Sequence, residues 1–326
     1  MLLCYYISYL LIDNHLLIIM FDLAIIGGGP GGTASGIYAS RKQLKTVFIT
    51  KELGGQSVVS PDIQNWVGTV SISGEELAKN LINHLKAYAN DTVDIVSNTC
   101  VTSVEKIDGG YKISLDNDKS YEAKALLVAS GARRRKLNVP GAEEFDQKGL
   151  TYCASCDGPV FSGKDVVVIG GGNAGFETAA QLLAYTKSVT LLNRSDTFKA
   201  DPITVKKVLG NEKMTAITNA TTTEILGDKF ATGVKYKDTK TGEEKEISVS
   251  GVFVEIGLIP NTDFLGNLVE LDAVKRVKVD PKTQQSSTKG IWAAGDCSDG
   301  LFHQNNIAVG DAIKATEDIY NHLHTK

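Results

Sequence analysis

Two glycine-rich turns, each placed directly after a short apolar run, constrain the fold of this chain more than any other feature. The apolar runs are residues 21–26 (FDLAII) and 165–169 (DVVVI), and a G-x-G-x-x-G pattern follows each of them. In such a turn the first glycine allows a sharp bend, the second lets the backbone approach a pyrophosphate, and the third lets a helix pack closely on the strand. The chain therefore predicts two dinucleotide sites, at Gly27, Gly29 and Gly32 and at Gly170, Gly172 and Gly175.

Length, charge and cysteine content exclude several other classes of protein. The 326 residues suffice for about two domains. A formal net charge of −4 argues against nucleic-acid binding through phosphate neutralisation. Five cysteines, an odd number in so long a chain, argue against a secreted fold that disulfides hold together.

The first twenty residues (MLLCYYISYLLIDNHLLIIM) are apolar, but they match neither a membrane span nor a secretory signal. Asp13, Asn14 and His15 interrupt a stretch that needs about 20 apolar residues to cross a bilayer. The stretch also lacks the basic start and the small-residue cleavage site of a signal peptide. We interpret it as an extension or a mis-chosen start upstream of Met20, with a membrane anchor or a partner-binding segment as alternatives. We expect a cytoplasmic protein with no membrane partner.

The residues beyond the two turns differ in charge. An acid about 20 residues after the fingerprint commonly binds the ribose hydroxyls, and Glu52 at the end of the next predicted strand is the candidate in the first half. After the corresponding strand of the second half, residues 188–192, the chain has Asn193, Arg194 and Lys199 but no acid at the strand tip. The basic residues favour NADP(H) over NAD(H), because positive charge would hold a 2′-phosphate.

Cys153 and Cys156 form a C-x-x-C pair that Asp157 follows directly. Two thiols three residues apart on a helical turn lie on one face and can close a small disulfide ring. A thiol near a helix N-terminus is more easily ionised, and Asp157 is a candidate acid or base for moving its proton. A structural zinc site is the alternative, but it needs four Cys or His ligands, often in two close pairs. We therefore predict a redox disulfide and no metal.

The remaining cysteines and one basic run have simpler interpretations. Cys4, Cys100 and Cys297 are scattered singly. We interpret Cys100 as a small core residue and Cys297 as a buried residue without chemistry, although it could approach a cofactor. Residues 133–136 (RRRK) are interpreted as a solvated segment between domains, with the steering of an acidic partner protein as the alternative.

The order of these parts indicates a path for electrons. A nucleotide turn, a linker, the C-x-x-C pair and a second nucleotide turn follow one another along the chain. A nicotinamide delivers a hydride, whereas disulfide exchange uses thiolates, so a flavin is needed between them.

These motifs resemble the low-molecular-weight thioredoxin reductase family, and equally the homologous reductase portion of the alkyl hydroperoxide reductase flavoprotein subunit. The resemblance runs from residue 21 to the carboxyl terminus. Besides the two turns, it is carried by the stretches GGQ (54–56), NWVG (65–68), ASGA (129–132), TYCASCDGP (151–159), IGLIPNT (256–262) and AGD (294–296).

The resemblance implies an α/β fold of two Rossmann-like dinucleotide-binding domains, with the second inserted into the first. Residues 21–134 and 258–326 would form the discontinuous FAD-binding domain. Residues 135–257 would form the NAD(P)H-binding domain, which carries the C-x-x-C pair. The family rotates one domain against the other, and we place the hinge near residues 133–139 and 251–257.

The resemblance also implies roles for individual residues. Cys156 would be the thiol nearest the flavin, Cys153 would attack the disulfide of the partner, and Asp157 would shuttle the proton. The FAD site would comprise Gly27, Gly29, Pro30, Gly31, Gly32, Glu52, Gly55, Gln56, Asn65, Ala129, Gly131, Gly295, Asp296, His303, Gln304 and Asn305. The nicotinamide site would comprise Gly170, Gly172, Asn173, Ala174, Gly175, Asn193, Arg194 and Lys199.

The implied activity is flavin-dependent reduction of thioredoxin or a thioredoxin-like protein by NADPH, with NADH also possible, in a homodimer. Thioredoxin reductases usually carry His-Arg-Arg and a later Arg after the second strand, where this chain has Asn193, Arg194, Ser195 and Lys199. A non-nicotinamide donor such as ferredoxin or a reduced flavin is therefore an alternative, as is a flavin redox sensor without turnover. We expect the acceptor to be a separate protein, because twenty residues before the first strand cannot form the amino-terminal redox module of the peroxide-reductase flavoprotein.

Overall fold

The structure is a computed structural model that describes residues 20–60 and 63–325, without the side chains of Ser155 and Cys156. The interpretations of residues 1–19 lie outside these described residues. No helix in the described part of the chain combines the length and the apolar character that crossing a bilayer requires.

The amino-terminal part of the chain forms six strands and two helices. They are β1 (Met20–Gly28), α1 (Pro30–Arg41), β2 (Thr46–Leu53), α2 (Gly74–Ala89), β3 (Val93–Ser97), β4 (Val101–Ile107), β5 (Gly110–Leu115) and β6 (Ser120–Val128). A short 3₁₀ helix, Gly55–Val59, follows β2.

The central part begins with a crossing strand and continues into a second set of elements. They are β7 (Ala132–Arg134), β8 (Leu150–Thr151), α3 (Ala154–Asp157), β9 (Asp165–Ile169), α4 (Asn173–Leu182), β10 (Ser188–Leu192), α5 (Pro202–Leu209), β11 (Met214–Ile217), β12 (Ala220–Gly227), β13 (Ala231–Asp238), β14 (Glu244–Ser248) and β15 (Gly251–Val254). A 3₁₀ helix, Gly158–Phe161, extends α3.

The carboxyl-terminal part returns to the first sheet. Its elements are β16 (Leu258–Pro260), β17 (Ile291–Ala293) and the long helix α6 (Asn305–His324), with 3₁₀ helices at Asp263–Leu265 and Gly295–Cys297.

The first sheet joins both ends of the described chain. Its strand order is β3-β2-β1-β6-β5-β4, and β17 pairs in parallel with the second half of β6. Strands β1, β2, β3, β6 and β17 are parallel, whereas β4, β5 and β6 form an antiparallel meander. Because β17 follows all the elements of the central part, a second unit is inserted into the first. This confirms the predicted fold class of two Rossmann-like domains, one inserted into the other.

The inserted unit has its own parallel sheet, in the order β11-β10-β9-β15-β8. The antiparallel strands β12, β13 and β14 share a hydrophobic core with it. The chain enters and leaves through β7 and β16, which pair with each other. All four residues of β15 are buried inside the sheet, so only residues 255–257 of the second predicted hinge segment lie between strands.

Strand β1 and the second half of β6 are covered on both faces, which explains why they are apolar runs rather than alternating ones. Leu23 and Ile25 of β1 pack with residues of α1, α2 and α6, whereas Ala24 and Ile26 pack on the opposite face. Trp292 of β17 is fully buried on the helical side, and its Nε1 donates a hydrogen bond to Asp318 of α6 at 2.9 Å.

The two glycine turns have the same backbone geometry. Gly27 and Gly170 have φ angles of +122° and +129°, a region that disfavours other residues. A Cβ on Gly32 would lie 1.8 Å from the carbonyl oxygen of Gly27, and a Cβ on Gly175 would lie 1.9 Å from that of Gly170. In both turns the third glycine therefore lets the helix touch the end of the strand, as the sequence predicts.

This contact makes a substitution at the third glycine costly. We expect Gly32→Ala to lower the free energy of unfolding by about 3 kcal/mol or more, because the methyl group overlaps a main-chain oxygen. Gly310→Ala is the matched control: it lies inside α6, its added methyl group would have no neighbouring atom within 4 Å, and it should gain about 0.5–1 kcal/mol. Urea unfolding of both variants measures the difference, and a Gly32→Ala protein as stable as wild type would contradict the packing described.

Candidate active site

A cavity of about 2000 Å³ lies at the carboxyl edge of the first sheet. The residues that follow β1, β2, β3, β6 and β17 line it, because the carboxyl ends of parallel strands meet at one edge of a sheet. Cys153 and Asp157 from the inserted unit line it as well. Pockets for drug-sized ligands measure roughly 300–1,000 Å³, so this cavity has room for a dinucleotide.

Almost all residues predicted to bind FAD line this cavity. They are Gly27, Gly29, Pro30, Gly31, Glu52, Gly55, Gln56, Asn65, Ala129, Gly131, Gly295, Asp296, His303, Gln304 and Asn305. Gly32 is the exception, because it packs against the carbonyl of Gly27 and supports the turn instead of lining the space. The fold thus gathers residues from widely separated stretches of the chain.

The first glycine turn presents a helix N-terminus to the cavity. Gly29 is the N-cap of α1, Pro30 is its first residue, and no acidic side chain lies in its first turn. A Cβ on Gly29 would have only the Cα of Gly55 nearby, at 3.6 Å, whereas a Cβ on Gly55 would lie 2.8 Å from the Cα of Gly29. Both glycines keep this space clear, and the N–H groups and dipole of the helix favour a phosphate there.

Hydrogen bonds join the loop after β2 to the start of α6. Ser57 Oγ donates to Asn305 Oδ1 at 2.7 Å, and Asn65 Nδ2 donates to Gln304 Oε1 at 2.9 Å. Asn306 Nδ2 adds a bond to the Asn65 carbonyl at 2.7 Å. These bonds hold Asn65, Gln304 and Asn305 together on one wall, although about 240 positions separate them in the chain.

Asp296 and His303 meet on the same part of the cavity. His303 Nδ1 lies 3.4 Å from Asp296 Oδ1, and His303 Nε2 lies 3.4 Å from Arg276 Nη1. Arg276 is itself anchored, since its Nε donates to Asp272 Oδ2 at 2.7 Å. The histidine thereby connects a predicted FAD ligand to a fixed arginine.

The segment around Cys153 joins the disulfide to a carboxylate. Cys153 is disulfide-bonded. The Thr151 hydroxyl accepts a hydrogen bond from the Cys153 N–H at 3.1 Å and donates one to Asp157 Oδ2, and the Asp157 N–H donates to the Cys153 carbonyl at 3.1 Å. Cys156 belongs to α3, but its side chain lies outside the described residues. Sequence reasoning missed Thr151, although a hydroxyl two residues before the first cysteine is a visible signal.

A smaller groove of about 800 Å³ also borders Thr151 and Asp157. Val160 and Phe230 line this groove, and they are 68% and 63% exposed. Exposed large apolar side chains that are grouped beside polar ones are typical of a surface that another protein covers. The disulfide segment therefore borders both the large cavity and an apolar groove.

The residues predicted to bind a nicotinamide cofactor lie apart from the large cavity. None of Gly170, Gly172, Asn173, Ala174, Gly175, Asn193, Arg194 and Lys199 lines it. Two of them hold the second turn against the loop after β10. Asn173 Oδ1 accepts from the Asp201 N–H at 2.7 Å, and the Lys199 N–H donates to the Gly171 carbonyl at 2.9 Å.

Asn193 shapes the loop after β10. Its side chain is buried, and its Nδ2 donates to the carbonyls of Ser195 and Thr197, both at 2.9 Å. Arg194 and Lys199 are exposed, and their side chains have no ion-pair partner among the described residues. The side chains of Arg194 and Lys199 are therefore available to a phosphate, whereas the side-chain amide of Asn193 is already hydrogen-bonded within the loop.

Sequence reasoning also missed a partly buried ion pair beside the cavity. Glu255 Oε1 accepts hydrogen bonds from Arg134 Nη1 at 3.1 Å and from Thr178 Oγ1 at 3.0 Å, and the Glu255 side chain is only 11% exposed. Burial raises the pKa of Glu255, Arg134 and Thr178 act against this shift, and the neighbouring carboxylate of Glu177 adds to it. A charged residue directly after the apolar strand β15 was the available signal.

One interpretation drawn from the sequence is wrong. Cys100 is not a core residue: it is partly exposed and lines the large cavity just before β4. The RRRK run is largely exposed, in agreement with its interpretation as a solvated segment between domains. Within it, Arg133 pairs with Asp263 at 2.9 Å and Arg134 pairs with the largely buried Glu255.

Cys297 is fully buried, as its sequence context indicates. Its Sγ lies 3.3 Å from the carbonyl oxygens of both Val128 and Ala294, which share its one S–H hydrogen. Burial raises the pKa of this thiol, so it is held in the neutral form.

Comparisons with known proteins identify relatives that cover most of the chain. Residues 21–312 match the family described as Pyridine nucleotide-disulphide oxidoreductase. The structure is similar to the crystal structure of T. acidophilum thioredoxin reductase, with 38% sequence identity and a TM-score of 0.83, over 92% of this chain and 98% of that one.

Two curated relatives are longer than this chain. The NADH dehydrogenase of Bacillus subtilis (strain 168) is 38% identical over 303 residues, and the F subunit of the Pseudomonas putida alkyl hydroperoxide reductase is 39% identical over 305 residues. Each alignment covers 93% of this chain but only 58% of the relative. The chain therefore spans less than two thirds of either curated relative.

The buried Glu255 predicts a pH-dependent stability. Because its pKa is raised in the folded protein, the folded state binds more protons than the unfolded state just above the ordinary pKa of a glutamate. The free energy of unfolding therefore falls as the pH rises through this window. Glu255→Gln removes the titration, so we expect the stability of the variant relative to wild type to increase between about pH 5 and about pH 8.

Urea unfolding at the two pH values measures this relative stability. Glu105→Gln, which changes an exposed glutamate of β4, is the control and should show no such increase. A difference between Glu255→Gln and wild type that stays constant with pH would contradict the shifted titration.

Proposed function

Because this chain belongs to the pyridine nucleotide-disulphide oxidoreductase family, we propose that it is a flavin-dependent disulfide reductase of the thioredoxin reductase type. It would pass electrons from NAD(P)H through FAD and the Cys153–Cys156 pair to a thioredoxin-like protein. One observation carries the proposal: the first glycine turn and the disulfide-bonded Cys153 line the same cavity. A cofactor bound at the turn and a disulfide on the wall would share one space.

The residues of the cavity fit FAD. Gly29 and Gly55 have no side chains, so their close approach leaves open space at the N-terminus of α1. The backbone N–H groups of the helix suit a pyrophosphate there. Bound FAD would supply storage for two electrons between a hydride donor and a disulfide. The residues that would hold it are Gly27, Gly29 and Gly32 at the pyrophosphate, Glu52 at the ribose, Asp296 at the ribityl chain, and Gln56 and Asn65 beside the flavin ring.

The domain assignment follows the same reasoning. We assign residues 21–134 and 258–326 to FAD and residues 135–257 to the nicotinamide cofactor and the disulfide. The pairing of β17 with β6 and the separate sheet from β8 to β15 support these bounds. A homodimer remains a prediction from the resemblance, and a cytoplasmic location remains a prediction from the sequence.

The side chains of this chain would carry the thiol chemistry. In the reduced pair, the Asp157 carboxylate takes the proton of the Cys153 thiol, and the thiolate attacks one sulfur of the partner's disulfide. The partner's S–S bond breaks as the mixed disulfide forms, and the departing sulfur takes the proton from Asp157. Cys156 then displaces the mixed disulfide and passes its proton to the second partner sulfur. The pair is oxidised, and the partner leaves as a dithiol.

The groove beside the disulfide supports a protein as the acceptor. Val160 and Phe230 expose apolar surface next to Thr151 and Asp157. A docked protein would cover this surface and bring its own disulfide close to Cys153, whereas a small disulfide would gain nothing from it.

Removal of the two thiols separates the flavin step from the disulfide step. We expect the double variant Cys153→Ser, Cys156→Ser to keep flavin bleaching by a reductant but to lose reduction of an oxidised thioredoxin by about three orders of magnitude or more. Stopped-flow absorbance and thioredoxin turnover measure the two steps. Cys297→Ala, which removes a buried thiol outside the pair, should retain turnover. Unchanged thioredoxin reduction by the double variant would refute the assignment.

Anaerobic titration with NADPH, NADH and reduced ferredoxin identifies the donor. Arg194 and Lys199 are exposed beside the second turn, so we expect NADPH to bleach the flavin. Arg194→Ala should raise the KM for NADPH about tenfold and leave that for NADH unchanged, because a hydrogen bond between charged groups contributes about 1.5–3 kcal/mol. Lys282→Ala, on an exposed loop of the first unit, is the matched control.

Two other results would change the proposal. An equal effect of Arg194→Ala on both nicotinamides would remove the assignment of a 2′-phosphate site. Bleaching by reduced ferredoxin alone would favour the non-nicotinamide donor. Such a result would agree with the hydrogen bonds that hold the Asn193 side chain within its own loop, because that amide is then not available to a nicotinamide cofactor.

A further inference from the structure

Resting on the proposed disulfide reductase function, we propose that Thr151 is a positioning residue, whose hydroxyl holds the Asp157 carboxylate in the orientation that exchanges a proton with the thiol pair. The hydroxyl lies between the main chain of Cys153 and the side chain of Asp157. Thr151 is only 3% exposed, so water does not compete freely for these hydrogen bonds.

The direction of both hydrogen bonds follows from the groups involved. The Cys153 N–H can only donate, so Thr151 Oγ1 accepts from it at 3.1 Å. An ionised carboxylate can only accept, so the hydroxyl proton points to Asp157 Oδ2. A hydroxyl has a single proton, and here it is committed to the carboxylate. Such a bond to a charged acceptor is stronger than one between neutral groups.

Strand pairing fixes the backbone of Thr151. It ends β8, which pairs with β15 through Thr151 and Phe253. A β-branched side chain has few χ1 rotamers, so the position of the hydroxyl follows that of the strand. The Asp157 N–H also donates to the Cys153 carbonyl at 3.1 Å. The carboxylate is therefore tied to the same anchors as the first cysteine.

The hydrogen bond from Thr151 leaves one oxygen of the Asp157 carboxylate for proton transfer. With Oδ2 engaged by the hydroxyl, Oδ1 remains to take a proton from a thiol and to return it to the departing sulfur. The χ2 torsion of an aspartate is broad, so without the hydroxyl the carboxylate could turn away from the thiols. Loss of the hydroxyl should therefore slow proton exchange and leave the affinity for the partner unchanged.

Alkylation of the thiols tests this role without a donor or a partner. The FAD-loaded enzyme is reduced with dithiothreitol, desalted anaerobically and treated with iodoacetamide at about neutral pH, and mass spectrometry follows the Cys153 peptide. We expect Thr151→Val to slow alkylation about tenfold, within the range of general-base contributions. Thr151→Ser keeps the hydroxyl and should restore the wild-type rate. A rate unchanged in Thr151→Val would overturn the proposal.

A double-mutant cycle decides whether Thr151 acts through Asp157. If it does, Thr151→Val causes no further slowing when Asp157→Asn is already present. Equal slowing in both backgrounds would overturn the proposal, because Thr151 would then act on the fold or on the Cys153 main chain alone. Thr151→Ala is the second variant if the valine protein does not fold, since it leaves room for water at the Cys153 N–H. We expect Thr151→Ala to cause no further slowing in the Asp157→Asn background either.

Thioredoxin turnover separates this proposal from the proposed function. Thr151→Val should lower kcat by the factor seen in alkylation, with the KM for thioredoxin unchanged. A non-additive alkylation cycle in an enzyme that reduces no thioredoxin would end the proposed function and keep the Thr151–Asp157 coupling. Thioredoxin turnover by the wild type together with an additive cycle would keep the function and end the positioning role.

Discussion

Each Rossmann-like half of this protein depends on a helix touching the end of a strand, a backbone contact that only glycine permits. At Gly32 and Gly175 even a methyl group would overlap the carbonyl oxygen of Gly27 or Gly170. Because nothing intervenes, the N-termini of α1 and α4 stand directly at the carboxyl edges of the two sheets. The partial positive charge of each helix end then lies where a phosphate would be bound.

The large cavity depends on a second constraint, the return of the chain to the first sheet. β17 pairs with β6 only after the inserted unit is complete, and this pairing brings Asp296 and the start of α6 to the edge where β1 and β2 end. Ser57 and Asn65 then bond to the first residues of α6 and its N-cap. The site is therefore complete only when β17 has joined the first sheet.

A polar contact between the two units lies beside the cavity. Arg134 lies on the strand that leads into the inserted unit, and Glu255 lies at the end of its last strand, so their ion pair ties the crossing ribbon to the inserted sheet. Exposed ion pairs contribute little to stability, but a buried carboxylate that loses its partner is costly. Within the inserted unit, the Thr151 hydroxyl likewise holds a carboxylate in place. It donates a hydrogen bond to Asp157 and accepts one from the Cys153 N–H.

The sequence by itself determined the two strand–turn–helix units and the C-x-x-C pair with its aspartate, because these features depend on the backbone requirements and spacing of neighbouring residues. The insertion of one domain into another was implied only by the resemblance to a known family. Only the tertiary structure decided that Cys100 lines the cavity, that Glu255 pairs with Arg134, and that the Asn193 side chain is hydrogen-bonded within its own loop. Burial and hydrogen-bond partners depend on which distant segments pack together, and no local pattern carries that information.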